Sequence, residues 1–271
     1  MKIVSSGRVL NSREFYEKKK RRRLIRLTLL SIGFLSILSW LIYLSRLERF
    51  QITDVTILGE NVVDKEEIIQ TVRRGLAGYY LWLIPRANVL IYPRRAIREN
   101  LLGEFPRFKS VNLDLGEQQE LLVAVLERMP FALYCTPECF FLDEEGFIFA
   151  PAPSFSDGVY FAYLAPNQAE SPVGKRFTPI QDFRLLSKFI ENLAALKIQP
   201  LTMEVGSEDY KLGLSEGGQI IWRREDDLVL IRSNLEAFLS DPAIKAQSDF
   251  FDRIRYLDLR TENKVFYKFK D

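Results

Sequence analysis

The sequence predicts an α+β protein with one N-terminal transmembrane helix, a strand-helix-helix-strand-strand module and a β-rich C-terminal domain that also contains helices. The transmembrane helix is predicted by an uncharged run of eighteen residues, Leu27–Leu44. Strand and helix patterns alternate as far as Glu127, and short alternating strands dominate after Pro130. The chain has 271 residues, 47% hydrophobic and 27% charged, which is typical of a folded protein with room for two modest domains.

The residue counts exclude several kinds of chemistry. The chain contains no histidine, which removes Ser-His-Asp and Cys-His catalysis, histidine phosphotransfer and every His-ligated metal site. Its two cysteines are too few for a four-cysteine zinc site. No Gly-rich phosphate loop follows a predicted strand. We therefore expect no metal, no cofactor and no enzymatic activity.

Residues 1–26 form a predicted cytoplasmic tail with a strong positive charge. They contain ten Lys or Arg and two Glu, a net charge of +8, whereas the remainder of the chain has a net charge of −6. The basic run Lys18–Arg23 precedes the apolar run, and only Arg46 and Arg49, offset by Glu48, follow it. The positive-inside rule therefore predicts a single-pass type II protein of the cytoplasmic membrane, with most of the chain exported. A nucleic-acid patch is the alternative for the basic run, but beside a spanning helix we expect topology control and contact with anionic lipid.

Residues 27–45 are predicted to be an uncleaved signal anchor. As a helix, the run Leu27–Leu44 spans about 27 Å, close to the ~30 Å hydrocarbon core of a bilayer. Trp40 and Tyr43 lie near its exit, where amphipathic rings favour the interface. A cleaved signal peptide would have a shorter core and an A-x-A-like site, which the exit lacks. A buried core helix is the other alternative, and it would need a large protein around it.

Residues 46–128 are predicted to form the first exported domain. A strand at Val55–Leu58 ends at Gly59, and Asp64 suits the N-cap of a helix with an apolar stripe. Pro93 suits the start of a second helix, which Pro106 ends. The segment Tyr79–Tyr92 between them is aromatic and irregular. Two strands close the module, Val111–Leu115 and the almost wholly apolar Leu121–Leu126, which is typical of a central strand.

Residues 129–271 are predicted to form a β-rich domain with helices. Its first hairpin joins strands on either side of Asp143-Glu144-Glu145, and a second turns at Gly217-Gly218. Two helices are predicted in this domain. Thr178-Pro179 with Gln181 forms a capping box that would begin the first helix, and the second has an apolar stripe between Leu228 and Phe238. Two closing strands, Ile254–Leu259 and Lys264–Phe269, flank a turn at Thr261-Glu262-Asn263.

Two short motifs could carry chemistry, and each has a simpler interpretation. Cys135 and Cys139 span a tight turn between predicted strands, and outside the cytoplasm we expect them to form a structural disulfide. A free thiol pair and a redox-active pair are the alternatives, although redox pairs usually have the spacing Cys-x-x-Cys. The run Asp143-Glu144-Glu145 invites a metal or glycosidase interpretation, but three acids before a glycine more often form a solvated turn. Similarly, Glu225-Asp226-Asp227 is typical of negative charge at a helix N-terminus.

Four strings in this order resemble the FtsQ/DivIB family of bacterial cell-division proteins. Val55–Gly59 is similar to the family's opening strand, and Glu127-Arg128-Met129-Pro130 resembles its E-R-x-P boundary. Leu142–Phe149 resembles its D-x-x-G hairpin, and Tyr256–Arg260 contains its D-L-R string. The resemblance covers most of residues 20–271. The sequence departs from the family at Tyr79–Tyr92, which is more aromatic than the usual link between the helices, and at Thr261, where many members have an aromatic residue.

The resemblance implies a polypeptide-transport-associated (POTRA) domain at residues 46–128 and a β-domain at residues 129–271. It implies a non-enzymatic scaffold at the division septum that binds FtsB and FtsL, two small single-span coiled-coil proteins, and other divisome members. Through them it would regulate septal peptidoglycan synthesis. In this family the FtsB-binding surface lies at the C-terminal strands, where the partner adds a strand.

The expected partner site is the last strand and its neighbour. We expect the last strand to be a sheet edge, because no later segment covers it, and such an edge accepts a partner strand. Alternation along this strand predicts that Val265, Tyr267 and Phe269 face one way, and that Lys264, Phe266, Lys268 and Lys270 face the other. An edge that its lysines merely protect is the alternative. The predicted binding residues are Tyr256, Asp258, Arg260, Lys264, Val265, Phe266, Tyr267, Lys268 and Phe269. Asp258 and Arg260 leave the same face of their strand, so a plain ion pair is the alternative for them.

Two other classes of function remain open at this point. One is a POTRA-type adaptor of a secretion or envelope-assembly complex, which typically has repeated POTRA units or a transmembrane barrel. The other is an anchored cell-wall enzyme, which without histidine would need a Ser/Lys mechanism, and the motif for that is missing from the sequence.

Overall fold

The computed structural model describes residues 12–154, 160–165, 171–247, 249–261 and 264–270. The chain is a mixed α+β protein with a β-rich C-terminal region, as predicted. It divides into two compact units, Met1–Leu58 with Lys65–Arg98 and Asn112–Ala124, and Gly59–Asp64 with Glu99–Val111 and Val125–Asp271. Because these units interleave along the chain, the predicted domain boundary between residues 128 and 129 stays a prediction. Residues 1–11 of the predicted tail, and Glu262 and Asn263 of the predicted turn, lie outside the described residues.

The N-terminal helix α1 spans Ser12–Ser45, so the basic run and the apolar run form one continuous helix. Its part Tyr16–Ser45 is long and apolar enough to cross a membrane. The apolar side chains of this helix are open to solvent: Leu30 is 69% exposed and Phe34 is 67% exposed. A core helix would be buried by the rest of the chain, so that alternative does not fit this helix.

A three-stranded sheet has the order β1-β5-β4, with β1 at Asp54–Leu58, β4 at Phe108–Leu115 and β5 at Glu120–Glu127. The prediction of a central strand at Leu121–Leu126 is confirmed, and β1 runs parallel to β5. Helix α2, Lys65–Leu76, begins directly after Asp64 and buries the predicted stripe Ile68, Val72 and Leu76. Helix α3, Arg94–Glu104, follows Pro93 and buries Ile97 and Leu101.

The aromatic segment between the two helices is more ordered than predicted. It contains two short antiparallel strands, β2 at Tyr79–Tyr80 and β3 at Ile84–Pro85. Further along, the main-chain N–H of Ile52 donates to the carbonyl of Ala87 over 2.7 Å, and that of Val89 donates to the carbonyl of Phe50 over 2.9 Å. The segment was predicted to be irregular because its apolar residues follow neither a helical nor a strand period.

A nine-stranded sheet has the order β14-β13-β12-β11-β10-β9-β6-β7-β8. The pairs β9–β10, β6–β9 and β12–β13 are parallel, and the others are antiparallel. The strands are β6 Ala132–Thr136, β7 Glu138–Leu142, β8 Ile148–Pro151, β9 Ala162–Leu164, β10 Pro200–Val205, β11 Asp209–Leu214, β12 Gln219–Arg223, β13 Ile254–Asp258 and β14 Phe266–Phe269. Both predicted hairpins and both predicted closing strands are present.

Helices α4, Ile180–Asn192, and α5, Leu228–Leu239, share one hydrophobic core with this sheet, together with the short helices α6, Pro242–Lys245, and α7, Phe250–Arg253. Trp222 of β12 and Tyr163 of β9 are among the largest buried side chains in it. Asp227 caps α5, because its carboxylate accepts the N–H of Val229 over 2.8 Å, as the predicted N-terminal charge suggested.

The capping box predicted at Thr178 is wrong. Pro179 occupies the N-cap position of α4, and no side chain caps the helix there. The Thr178 hydroxyl donates instead to the carbonyl of Pro179 over 3.3 Å. The capping-box motif is thus displaced by one residue from the start of α4. Thr178 therefore lies outside the helical turn that its side chain was predicted to cap.

Candidate partner-binding site at a sheet edge

Strand β14 lies at one end of the nine-stranded order and, among the described residues, pairs only with β13. The N–H of Lys270 donates to the carbonyl of Arg253 over 2.8 Å, which places the main-chain groups of residue 270 on the β13 side. Because these groups alternate along a strand, Tyr267 and Phe269 direct their N–H and C=O groups away from the sheet. The edge therefore presents a row of main-chain donors and acceptors.

The outer face of this edge carries four of the predicted site residues. In the β13–β14 register, Asp258 lies opposite Phe266 and Tyr256 lies opposite Lys268. Residues in register on an antiparallel pair project from the same face. The Phe266 side chain is 52% exposed, which is unusual for a phenylalanine and makes it the most prominent apolar group on this face.

The opposite face of β14 packs into the protein. Val265 and Phe269 lie against the hydrophobic core. The ring of Tyr267 lies 5.7 Å from the ring of Phe238 and 5.6 Å from that of Phe250, in edge-to-face contacts. The predicted alternation along the last strand is therefore confirmed, and its inner side chains hold the strand in place while its outer ones remain free to contact a partner.

Asp258 and Arg260 form the ion pair that was the alternative to partner binding. The Arg260 guanidinium donates to the Asp258 carboxylate over 2.6 Å and to the carboxylate of Asp209 on β11 over 2.8 Å. The hydrogen bond from Arg260 holds the pKa of the Asp258 carboxyl below its usual value. These residues join β13 to β11 on the outer face of the sheet, and this geometry is compatible with either role.

The lysines of the last strand differ in their surroundings. Lys264 and Lys268 are exposed. The Lys270 ammonium instead donates to the main-chain carbonyl of Asp252 over 2.7 Å, and also to that of Glu216. Of the predicted row of edge lysines, Lys264 and Lys268 are therefore the two placed to attract an acidic partner or to repel an unwanted strand.

An open pocket lies beside the start of the last strand. Helix α5 contributes Asn234, Ala237 and Phe238, and the other side is lined by Leu259, Thr261, Lys264 and Val265. The sequence prediction placed only Lys264 and Val265 of this lining in the partner site and missed the others, including Asn234 and Ala237. The sequence does contain a signal for Asn234 and Ala237. Both lie within one helical turn of Phe238, where small and polar side chains interrupt the apolar stripe.

The E-R-x-P string holds two segments together through its charged side chains. Glu127 is buried, and its carboxylate accepts the main-chain N–H groups of Asn61 at 2.9 Å, Val62 at 3.0 Å and Val63 at 3.2 Å. Burial raises the pKa of the Glu127 carboxyl, but the three N–H donors outweigh burial and leave that pKa below its usual value. A Cβ on Gly59, whose φ is 87°, would clash with the carbonyl oxygen of Val125, so the turn before these donors needs glycine.

The solvated turn predicted at 143–145 is wrong for Asp143, although the chain does turn there and Glu144 is exposed. Asp143 is 3% exposed, and one of its carboxylate oxygens accepts the N–H groups of Glu145 and Phe147 over 2.8 and 2.9 Å. Its other oxygen pairs with Arg128, the second residue of the E-R-x-P string. Asp143 is buried because the hairpin folds its carboxylate inward, where the carboxylate accepts hydrogen bonds from these donors. The run of three acidic residues in the sequence does not indicate this burial.

The two remaining acids of this string are also paired. Glu144 accepts from Lys109 over 2.6 Å, and Glu145 accepts from Arg184 over 3.0 Å. In the part of the chain that the structure describes, no group of three or more Asp, Glu, Cys or His side chains is arranged to hold a metal ion.

The structure joins Cys135 and Cys139 in a disulfide. The two cysteines lie opposite each other in the β6–β7 register, with Cα atoms 4.0 Å apart. The bridge closes the hairpin turn of Thr136-Pro137-Glu138.

Compared with known proteins, the chain matches no protein-family model, and no curated protein matches its sequence. Conclusions about function therefore depend on the chain's own residues and geometry.

Proposed function

We propose that the protein is a membrane-anchored, non-enzymatic scaffold of the FtsQ/DivIB type, which captures FtsB- and FtsL-like single-span proteins at the division septum. The single observation that carries this proposal is the outward main-chain edge of β14 at Tyr267 and Phe269. A partner strand that pairs there gains main-chain hydrogen bonds, and its alternate side chains meet the two faces of the edge.

The surroundings of this edge supply the specificity of the proposed site. Phe266 offers an exposed aromatic anchor, and anchors of this kind contribute much of the binding energy in protein interfaces. Lys264 and Lys268 favour a partner with acidic residues. The pocket at Asn234 and Phe238 accommodates an apolar side chain from a partner that approaches along α5.

The N-terminal half of the chain supports the rest of the proposal. The order β1-α2-α3-β4-β5 with β5 in the centre is the order expected of a POTRA domain, and we propose that residues 46–128 form one. The basic run Lys18–Arg23 supports a cytoplasmic N-terminus, and α1 is long enough to anchor the chain as a type II protein.

Several residues of the strings that carry the family resemblance make contacts that maintain this fold. Glu127 binds the turn after β1, Arg128 pairs with Asp143, and Arg260 joins β13 to β11. These roles are structural and need no catalysis, which agrees with a scaffold.

The proposal is tested by a pair of substitutions at Tyr267 in the full-length membrane protein. Deleting residues 261–271 is the simplest test of the site, but it also removes Val265 and Phe269, which pack on the core. Tyr267→Pro removes an outward N–H and leaves the bonds to β13 intact. Tyr267→Ala removes the same ring but keeps the N–H, so the two variants differ at the edge itself.

We expect Tyr267→Pro to bind an FtsB/FtsL-like partner, identified by mass spectrometry after co-purification from membranes, about tenfold or more weakly than Tyr267→Ala. Equal affinity of the two variants would show that the partner does not add a strand here. Retention of a different set of envelope proteins, with no small single-span partner among them, would contradict the divisome assignment.

A further inference from the structure

The hairpin formed by β2 and β3 exposes an unusual amount of apolar surface. Trp82 is 90% exposed and Leu81 is 86% exposed. Leu90 and Ile91, in the same segment, are 79% and 44% exposed. Single exposed apolar residues are ordinary, but a group that includes a tryptophan at the tip of a hairpin is typical of an interaction surface.

The backbone conformation at the hairpin tip is one that disfavours the large side chains of Leu81 and Trp82. The N–H of Leu83 donates to the carbonyl of Tyr80 over 2.9 Å, which closes a β-turn with Leu81 and Trp82 at its centre. Their φ angles are 47° and 65°, so both lie in the left-handed region. Asn-Gly is the usual occupant of such a turn, because large side chains are disfavoured there. Folding alone therefore does not account for Leu and Trp at these two positions.

The hairpin is attached to the end of the helix that could cross a membrane. The Arg46 guanidinium, one residue beyond α1, donates to the carbonyl of Leu83 over 3.0 Å and to that of Trp82 over 3.4 Å. The Asn88 side-chain amide donates to the carbonyl of Ser45, the last residue of α1, over 3.1 Å. The hairpin tip is thus connected to the end of α1 through a single arginine side chain.

These same bonds lower the cost of moving the tip out of water. A main-chain carbonyl without a hydrogen bond is costly in an apolar surrounding, and the carbonyls of Trp82 and Leu83 are both bonded to Arg46. Tyr80 and Arg86 lie at the base of the hairpin, with the guanidinium of Arg86 5.6 Å from the centre of the Tyr80 ring. Aromatic and arginine side chains in this arrangement suit the headgroup level of a bilayer.

We infer that the tip Leu81-Trp82-Leu83 inserts into the outer leaflet of the phospholipid bilayer that α1 crosses, as a second membrane contact that orients the segment after the helix. The inference depends on the proposed membrane anchoring, because α1 brings the hairpin to the surface. It does not depend on partner capture at β14.

The test uses tryptophan fluorescence of the full-length chain in phospholipid vesicles whose acyl chains are brominated near the headgroup. The chain has three tryptophans, Trp40 in α1, Trp82 at the tip and Trp222, which is 0% exposed and so lies beyond the reach of lipid quenchers. In a Trp40→Phe chain, quenching by the lipid therefore reports Trp82. We expect this chain to lose emission in brominated vesicles, and the Trp40→Phe/Trp82→Phe chain to keep its emission.

A Trp82→Phe chain, which retains Trp40, separates the ways in which the inference can fail. One outcome is that lipids brominated at any depth quench Trp40, while only an aqueous quencher reaches Trp82. This outcome would support the anchor and overturn the hairpin insertion. Such a result would also be expected if the tip binds a protein partner absent from the vesicles. If neither tryptophan is quenched by lipid, the anchoring itself is wrong and the inference fails with it.

Discussion

The side-chain amide of Asn88 donates a hydrogen bond to the main-chain carbonyl of Ser45 over 3.1 Å. Asn88 is only 3% exposed, and its amide oxygen also accepts the N–H of Leu90 over 3.0 Å. One side chain therefore satisfies an end carbonyl of α1 and shapes the segment that follows β3. Carbonyls in the last turn of a helix have no partner within the helix, so this bond gives the end of α1 a fixed neighbour.

Replacing Asn88 with Asp should destabilise the protein. The carboxylate can still accept the N–H of Leu90, but it cannot donate to Ser45, and it brings negative charge toward that carbonyl. We expect the free energy of unfolding to fall by about 2 kcal/mol, as measured by denaturation in detergent micelles. Asn112→Asp, on an exposed residue of β4, is the matched control and should leave stability nearly unchanged. An equal effect of the two substitutions would contradict the role assigned to Asn88.

Glu127→Gln should make stability less dependent on acid pH. The folded pKa of Glu127 is lower than its usual value of 4.5, so the carboxylate stabilises the folded state above that value. As the pH falls through the lower folded pKa, this contribution is lost. At neutral pH we expect the substitution to cost about 1–2 kcal/mol, because a neutral amide is a weaker acceptor for the three N–H groups.

The measurement for this prediction is the difference in unfolding free energy between wild type and Glu127→Gln across the acid range. The difference should be largest at neutral pH and should shrink once the pH falls below 4.5 toward the folded pKa. Glu117→Gln, on an exposed residue, serves as the control and should show no such trend. A difference that grows on acidification would have the wrong sign for a carboxyl with a depressed pKa.

The Cys135–Cys139 disulfide should contribute to stability even though its loop is short. Chain-entropy arguments give about 2 kcal/mol for closing a loop of five residues. The Cys135→Ser/Cys139→Ser protein should therefore melt at a lower temperature than the oxidised wild type, and a reductant should lower the wild type to the same value without affecting the variant. Non-reducing mass spectrometry of exported protein provides the direct check, and two free thiols there would contradict the bridge.

Phe266→Ala should weaken partner capture without affecting the fold. Phe266 is 52% exposed and lies on the outer face of β14, so its removal leaves the core intact. We expect about a tenfold or greater loss of affinity for the proposed FtsB/FtsL-like partner, measured by co-purification or titration, with an unchanged melting temperature. Leu185→Ala, on a residue of α4 that is 62% exposed, is the matched control. Equal partner affinity in both variants would place the interface elsewhere.

Local patterns in the sequence were sufficient for much of the fold. The uncharged run after Arg26 predicted the apolar part of helix α1, although not its start at Ser12, and local strand patterns predicted β11, β12 and both closing strands. These elements could be predicted because burial on one face imposes a regular spacing on nearby residues. The capping box at Thr178 failed because a cap depends on a single residue position, which periodicity does not define.

The candidate site was only partly accessible to the same reasoning. Alternation along residues 264–269 assigned the inner and outer side chains, and Phe266 was among the predicted residues. The pocket residues Asn234 and Ala237 were missed, because they come from a helix about thirty residues earlier in the chain. The burial of Asp143 was missed for a similar reason, since its partner Arg128 is fifteen residues away.

The amino-acid sequence by itself determined most elements of this protein: a charged tail, one apolar helix, and most of the helices and strands that follow it. The spacing of neighbouring residues predicts each of these elements. Only the tertiary structure decided that α5 lines a pocket beside the start of β14, that Glu127 holds the turn at residues 61–63, and that Trp82 lies beside the end of α1. The physical reason is that spacing along the chain reflects local burial, whereas strand neighbours and hydrogen-bond partners far apart in sequence depend on how the whole chain satisfies its polar groups and fills its core.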